Sequence, residues 1–123
     1  MSDATTTIAT IKQMVFQYRE DRGWNKYSNL HDLTAALSIE TGELFELFLW
    51  KTGPEIQERI ATDARYKERI SEELADVVFC ALAISLATKI DLTDAITKKI
   101  AKNCLRYPVN EVKGNAIDKG MTD

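Results

Sequence analysis

Histidine and cysteine are nearly missing from this chain, which has one of the first (His31) and two of the second (Cys80 and Cys104) among 123 residues. A zinc site draws several such ligands at recognisable spacing, so zinc of the usual kind is excluded. The cysteines make no Cys-x-x-Cys pair and no framework of bridges, and both read as reduced thiols. Basic runs are missing as well: 16 Lys and Arg lie scattered among 19 Asp and Glu, for a net charge of −3. That balance argues against a nucleic-acid-binding surface and leaves free nucleotide as a compatible ligand. The longest apolar run, Val77–Ala87, is well short of the ~20 residues that span a bilayer, so no membrane segment is expected. Residues Met1 to Thr7 show neither the basic nor the apolar region of a signal peptide, and a cytoplasmic location follows as the expectation.

Period-two alternation is scarce too, whereas apolar residues recur at helical spacing through most of the chain. With 45% hydrophobic and 28% charged residues, the composition fits one all-α domain of the four-helix-bundle type. The spacing predicts a first helix over 7–21 that buries Ile8, Ile11, Val15 and Tyr18 and stops near Gly23. A second is predicted over 30–51, capped by Ser28 or Asn29 and closed by Thr52-Gly53-Pro54. A short amphipathic segment over 55–61 follows, then a long helix over 64–89. Asp91 is placed to cap a helix over 92–105, which Pro108 ends. Residues 1–108 are thus expected to fold, and 109–123, polar and aperiodic, to form a mobile tail.

Two pairs of acids stand out against this background. Glu40 and Glu43 lie on the second helix, where Leu33, Leu37, Leu44 and Leu47 mark a buried stripe that includes Glu40. Glu73 and Asp76 lie on the long helix, where Ile70, Leu74, Val77, Ala81 and Ile84 mark a stripe that includes Glu73. Residues three apart on a helix are neighbours, with Cβ atoms ~5–6 Å apart, so two facing helices would gather four carboxylates. An unpaired buried carboxylate costs several kcal/mol or gives up its charge. A hard divalent cation with oxygen ligands removes that cost, and Mg²⁺ is the usual choice beside substrate phosphates. Solvated acids at the edge of each stripe are the plain alternative; the matched pairs favour the metal.

These acids sit in a wider pattern. Glu40-Thr41-Gly42-Glu43 followed by Glu73-Leu74-Ala75-Asp76 resembles the Glu-x-x-Glu and Glu-x-x-Asp motifs of the MazG-like all-alpha nucleoside triphosphate pyrophosphatases. The string from Glu43 to Lys51, Glu-Leu-Phe-Glu-Leu-Phe-Leu-Trp-Lys, is similar to the dCTP pyrophosphatase branch, as are Arg22-Gly23-Trp24 and Asn103-Cys104-Leu105-Arg106-Tyr107-Pro108. Val15 and Gly23 depart from that branch, which often has histidine and aspartate there; both lie towards the base end of the family's pocket and leave the preferred base open.

The resemblance implies Mg²⁺ held by Glu40, Glu43, Glu73 and Asp76, and water attack at the α-phosphorus that yields monophosphate and pyrophosphate. A deoxynucleotide such as dCTP, or other non-canonical or surplus deoxynucleotides, would be the substrate in a house-cleaning role. Glu46 is a candidate for a supporting acid or the general base. Trp24, Asn29, Trp50, Lys51, Lys99, Asn103, Arg106 and Tyr107 map to substrate-binding positions. A homodimer or a homotetramer built as a dimer of dimers, joined through helices, is also implied.

Gly42, in mid-helix, costs ~1 kcal/mol relative to alanine and is explained either by close approach of another helix or of the ligand, or by tolerated weakness. The Glu-x-x-His motif of di-iron bundles is absent, which removes that enzyme class. A non-enzymatic nucleotide-binding or helical interaction module is the remaining alternative, and it would bind nucleotide without turnover.

Overall fold

The computed structural model describes residues 1–115, and these contain helices and no strand. The helices are α1 (Ile8–Glu20), α2 (Leu30–Glu46), α3 (Gly53–Thr62), α4 (Ala64–Thr88), α5 (Leu92–Arg106) and the single turn α6 (Val109–Val112), with a 3₁₀ turn at Asn25–Tyr27. Two compact units divide the chain, one over Met1–Lys89 and one beginning at Ile90.

In the first unit α4 is the spine, packed against α1, α2 and α3. Its core is Val15 of α1, Leu33 of α2, Leu47, and Tyr66, Leu82 and Ala83 of α4. Because α4 meets α1 and α2 together, its apolar cover is broader than one stripe. Leu82, Ala83 and Ser85 are buried, while Leu74 of the expected stripe is half exposed. The Ser85 hydroxyl stays satisfied by donating to the Leu82 carbonyl at 2.7 Å. On α1, Val15 is buried as expected, whereas Ile8 and Tyr18 remain partly exposed.

Local chemistry sets the boundaries. Thr7 caps α1 by accepting from the Thr10 N–H at 3.1 Å, and Gly23 takes φ +66° just beyond its end. Asn29, Asp63 and Asp91 cap α2, α4 and α5 in the same way.

The largest departure from expectation is the end of α2, five residues before Lys51. From Leu47 the chain tightens into three-residue bonds, Leu47 N–H to Leu44 O and Phe48 N–H to Phe45 O among them. The Leu47 carbonyl instead accepts from the Tyr66 hydroxyl at 2.7 Å. The apolar spacing continued past the helix because Leu47 is still buried in the turn. Thr52-Gly53-Pro54 does not close α2 but opens α3, through a capping box in which Thr52 and Glu55 satisfy each other's backbone N–H groups at 3.3 and 2.8 Å.

The second unit holds α5 and α6. Pro108 stands between them as the N-cap of α6, so the stretch read as a tail begins with one helical turn. Residues 116–123 of that expected tail lie outside the described residues.

Candidate functional site

Packing of α2 on α4 brings the acid pairs together. Glu40, Glu73 and Asp76 each offer an oxygen, and these oxygens lie within 4.8 Å of one another. Glu43 stands one turn along α2 and presses on both glutamates. The Glu40 carboxyl is held above its ordinary value first by burial, then by the charges of Glu43 and Asp76. Glu73 is raised by burial and then by Glu43, with Arg69 opposing weakly. One oxygen of each, Oε2, is buried without a hydrogen-bond partner.

Such orphaned acceptors are rare, because a buried unsatisfied group costs roughly 1–3 kcal/mol and more when charged. A hard divalent cation would satisfy both. Mg²⁺–oxygen distances of ~2.0–2.1 Å place ligand oxygens up to ~4.2 Å apart, so three oxygens within 4.8 Å need only a small contraction to share one ion. The donor set, all carboxylate, fits a hard ion and not a soft one.

Next to this cluster on α4 lies Cys80, which sequence reading took only as a reduced thiol. Burial raises its pKa first; Glu40 and Asp76 add to this, while Arg19 opposes. Cys80 therefore feels both the acid cluster and the cation of α1.

Trp24 lines a cavity of about 320 Å³ with Arg19, Tyr27, Asp32, Leu33 and Ala36. The indole is 45% exposed and meets Tyr18 edge-on at 6.0 Å. Asn29 is the α2 cap: its oxygen accepts from the Asp32 N–H at 2.9 Å, and its amide donates to Asp32 Oδ2 at 2.6 Å. Arg19, Tyr27 and Asp32 were missed in the sequence, since none lies in a motif and only the fold of the Gly23–Ser28 loop assembles them.

Trp50 is 94% exposed in the turn after α2, with φ +62°, and Lys51 follows it half-buried. Glu46, the last residue of α2, is exposed. Within the second unit Lys99 and Arg106 are exposed on α5, Asn103 is half-buried between them, and the Arg106 guanidinium lies 5.6 Å from the ring centre of Tyr107. His31 is exposed.

A model described as the MazG-like family matches residues 35–120. The chain is 32% identical over 110 residues to dCTP pyrophosphatase 1 of Bos taurus and 30% identical to that of Homo sapiens, in each case over 89% of this chain. It spans 64% of the length of these relatives. A crystal structure of a pyrophosphatase from Archaeoglobus fulgidus DSM 4304 superposes with a TM-score of 0.76 at 29% identity, covering 88% of this chain and 98% of that one.

Proposed function

Because the chain belongs to the MazG-like family, we propose that it is a Mg²⁺-dependent nucleoside triphosphate pyrophosphohydrolase that releases nucleoside monophosphate and pyrophosphate. The observation that carries this reading is the acid cluster itself, with two buried carboxylate oxygens left unpartnered on facing helices. The similarity to dCTP pyrophosphatase 1 supports a dCTP-like or other non-canonical or surplus deoxynucleotide as substrate, in a house-cleaning role in the cytoplasm.

Glu40, Glu73 and Asp76 would hold the ion, with Glu43 completing the set. Held by these residues, the ion would supply positive charge for the triphosphate oxygens and would make a nearby water easier to deprotonate. In the reaction, water oxygen bonds to the α-phosphorus while the bond to the β-bridging oxygen breaks and pyrophosphate departs. Glu46, one turn beyond Glu43 and solvent-facing, is free to take the water's proton. Trp24 and Trp50 offer indole faces for the base, and such stacking contributes ~1–3 kcal/mol. Within the first unit Lys51 offers a cation for phosphate oxygens; the match of α5 to the family's motif is what assigns Lys99 and Arg106 to phosphate and Asn103 and Tyr107 to the nucleoside. Asn29 acts through Asp32, which its side chain holds.

Assembly belongs to the same proposal. Ile39 and Phe45 on α2 are each 61% exposed, and apolar surface of this kind supports a homodimer or a dimer of dimers. Chromatography of a triphosphate panel incubated with Mg²⁺ or EDTA tests the reading. Metal-dependent monophosphate and pyrophosphate are expected, and absence of turnover on every triphosphate would leave a nucleotide-binding role only.

A further inference from the structure

The cavity beside Trp24 counts two side chains of opposite charge, Arg19 and Asp32, among its lining residues. We propose that Arg19 and Asp32 form a specificity pair that selects nucleobases carrying an amino group next to an unprotonated ring nitrogen, cytosine and adenine, over the keto bases uracil, thymine and guanine. This rests on the hydrolase reading above for its triphosphate and adds how the base is chosen.

The hydrogen bonds of both side chains define what each can still offer. Arg19 spends one terminal nitrogen, Nη2, on the Trp24 carbonyl at 3.0 Å and the Ser28 hydroxyl at 3.2 Å. Its backbone carbonyl also receives the Trp24 N–H at 2.8 Å. The loop that carries Trp24 is thereby tied to α1, while Nε and Nη1 have no hydrogen-bond partner among the described residues. Asp32 gives Oδ2 to Asn29 at 2.6 Å. Its Oδ1 has no hydrogen-bond partner among the described residues. Among the residues that line the cavity, Arg19 thus has donors and Asp32 one acceptor oxygen not spent on these bonds, beside the aromatic side chains of Trp24 and Tyr27.

A single free acceptor beside donors matches an edge that presents one amine and one ring-nitrogen acceptor. The cytosine N4 amine with N3, and the adenine N6 amine with N1, have that order. Uracil and guanine reverse it: a carbonyl oxygen would face the Asp32 carboxylate and an N–H would face the guanidinium, so both contacts turn repulsive. Bidentate recognition of guanine's two adjacent N–H donors would take both Asp32 oxygens, and one is already engaged by Asn29.

Position agrees with this assignment. Asp32, Leu33 and Ala36 lie on the same helix as Glu40, which is eight residues from Asp32, ~12 Å along α2 at 1.5 Å per residue. A base seated at Trp24 therefore has the acid cluster farther along the same helix.

The test uses two readouts on wild type, Asp32→Asn and Arg19→Gln. In the first, kcat/KM is measured with Mg²⁺ for dCTP, dUTP, dATP and dGTP. In the second, dCMP and dUMP are titrated by calorimetry in EDTA, which reports base choice whether or not the chain hydrolyses anything. Wild type is expected to favour each amino base over its keto counterpart by roughly 10- to 100-fold, the value of one or two misdirected hydrogen bonds. Either substitution should collapse that ratio, because a neutral amide can turn its oxygen or its nitrogen to the base. A merely structural role would lower both members of a pair equally and leave the ratio unmoved. Equal use of amino and keto bases by wild type, or a ratio unchanged in both variants, overturns the pair. If calorimetry shows the preference and its loss while no triphosphate is hydrolysed, the pair stands and the hydrolase reading falls.

Discussion

Tyr66, in the first turn of α4, donates its hydroxyl hydrogen to the carbonyl of Leu47 at 2.7 Å, just past the end of α2. The ring is 2% exposed, lies edge-on to Phe48 at 6.4 Å, and has the Arg59 guanidinium 4.3 Å from its centre. One side chain thus pins the end of the helix that carries Glu40 and Glu43 to the start of the helix that carries Glu73 and Asp76.

Tyr66→Phe keeps the packing and leaves the Leu47 carbonyl buried without its donor. A loss of ~1–2 kcal/mol of unfolding free energy is expected in urea. An unchanged midpoint would mean that water or backbone takes over the bond.

Metal-free stability should depend on pH in an unusual direction. The folded-state values of Glu40 and Glu73 lie above their ordinary value of 4.5. Between the ordinary and the raised value the folded chain holds protons that the unfolded chain has lost. Their contribution to stability therefore falls as pH rises through that window, and the whole penalty is present above it. In EDTA, thermal unfolding should shift upward as pH drops from neutral into the weakly acidic range, and Mg²⁺ should flatten that slope. Glu73→Gln, without metal at neutral pH, should unfold at a higher temperature than wild type and lose the response to Mg²⁺. If instead it unfolds at a lower temperature, the acids serve the fold.

Gly42 sits within α2, and a Cβ built there meets nothing within 4 Å. Close approach of a neighbour among the described residues is thus not the reason for the glycine. Gly42→Ala should stabilise by about 0.5–1 kcal/mol through helix propensity. A destabilised variant would point to a second copy of the chain pressed against that turn, which sedimentation of wild type, expected as a dimer or larger, would corroborate.

What was legible in the sequence was whatever is local and periodic. Asn29 and Asp91 cap helices because a short polar side chain before an apolar repeat has few other uses; Asp63 caps α4 in the same way but emerged only from the structure. The acid pairs were legible because carboxylates inside apolar stripes are costly. The end of α2 was not, because Leu47 stays buried in a turn and the partner that replaces the helix bond, Tyr66, is 19 residues away. The pocket was equally hidden: Arg19 and Asp32 come to line one cavity only with the loop that Arg19 itself holds.

Trp50 gives the last prediction. A bulky side chain at φ +62° costs about 1–2 kcal/mol relative to the right-handed region, and at 94% exposure the indole recovers none of it by burial within this chain. The proposed base-stacking role of Trp50 would give this strained, solvent-facing position a use outside the chain's own core, since a flat indole face suits a nucleobase. Trp50→Gly removes the strain but loosens the unfolded chain, so the two effects oppose and stability should move by no more than ~1 kcal/mol. Nucleotide affinity should fall by roughly tenfold or more, the value of one lost stack. Denaturation and calorimetry on the same sample separate the outcomes. A variant that unfolds makes Trp50 a structural residue, buried in an assembly of several copies, whereas a stable variant with unaltered nucleotide affinity removes it from the binding site.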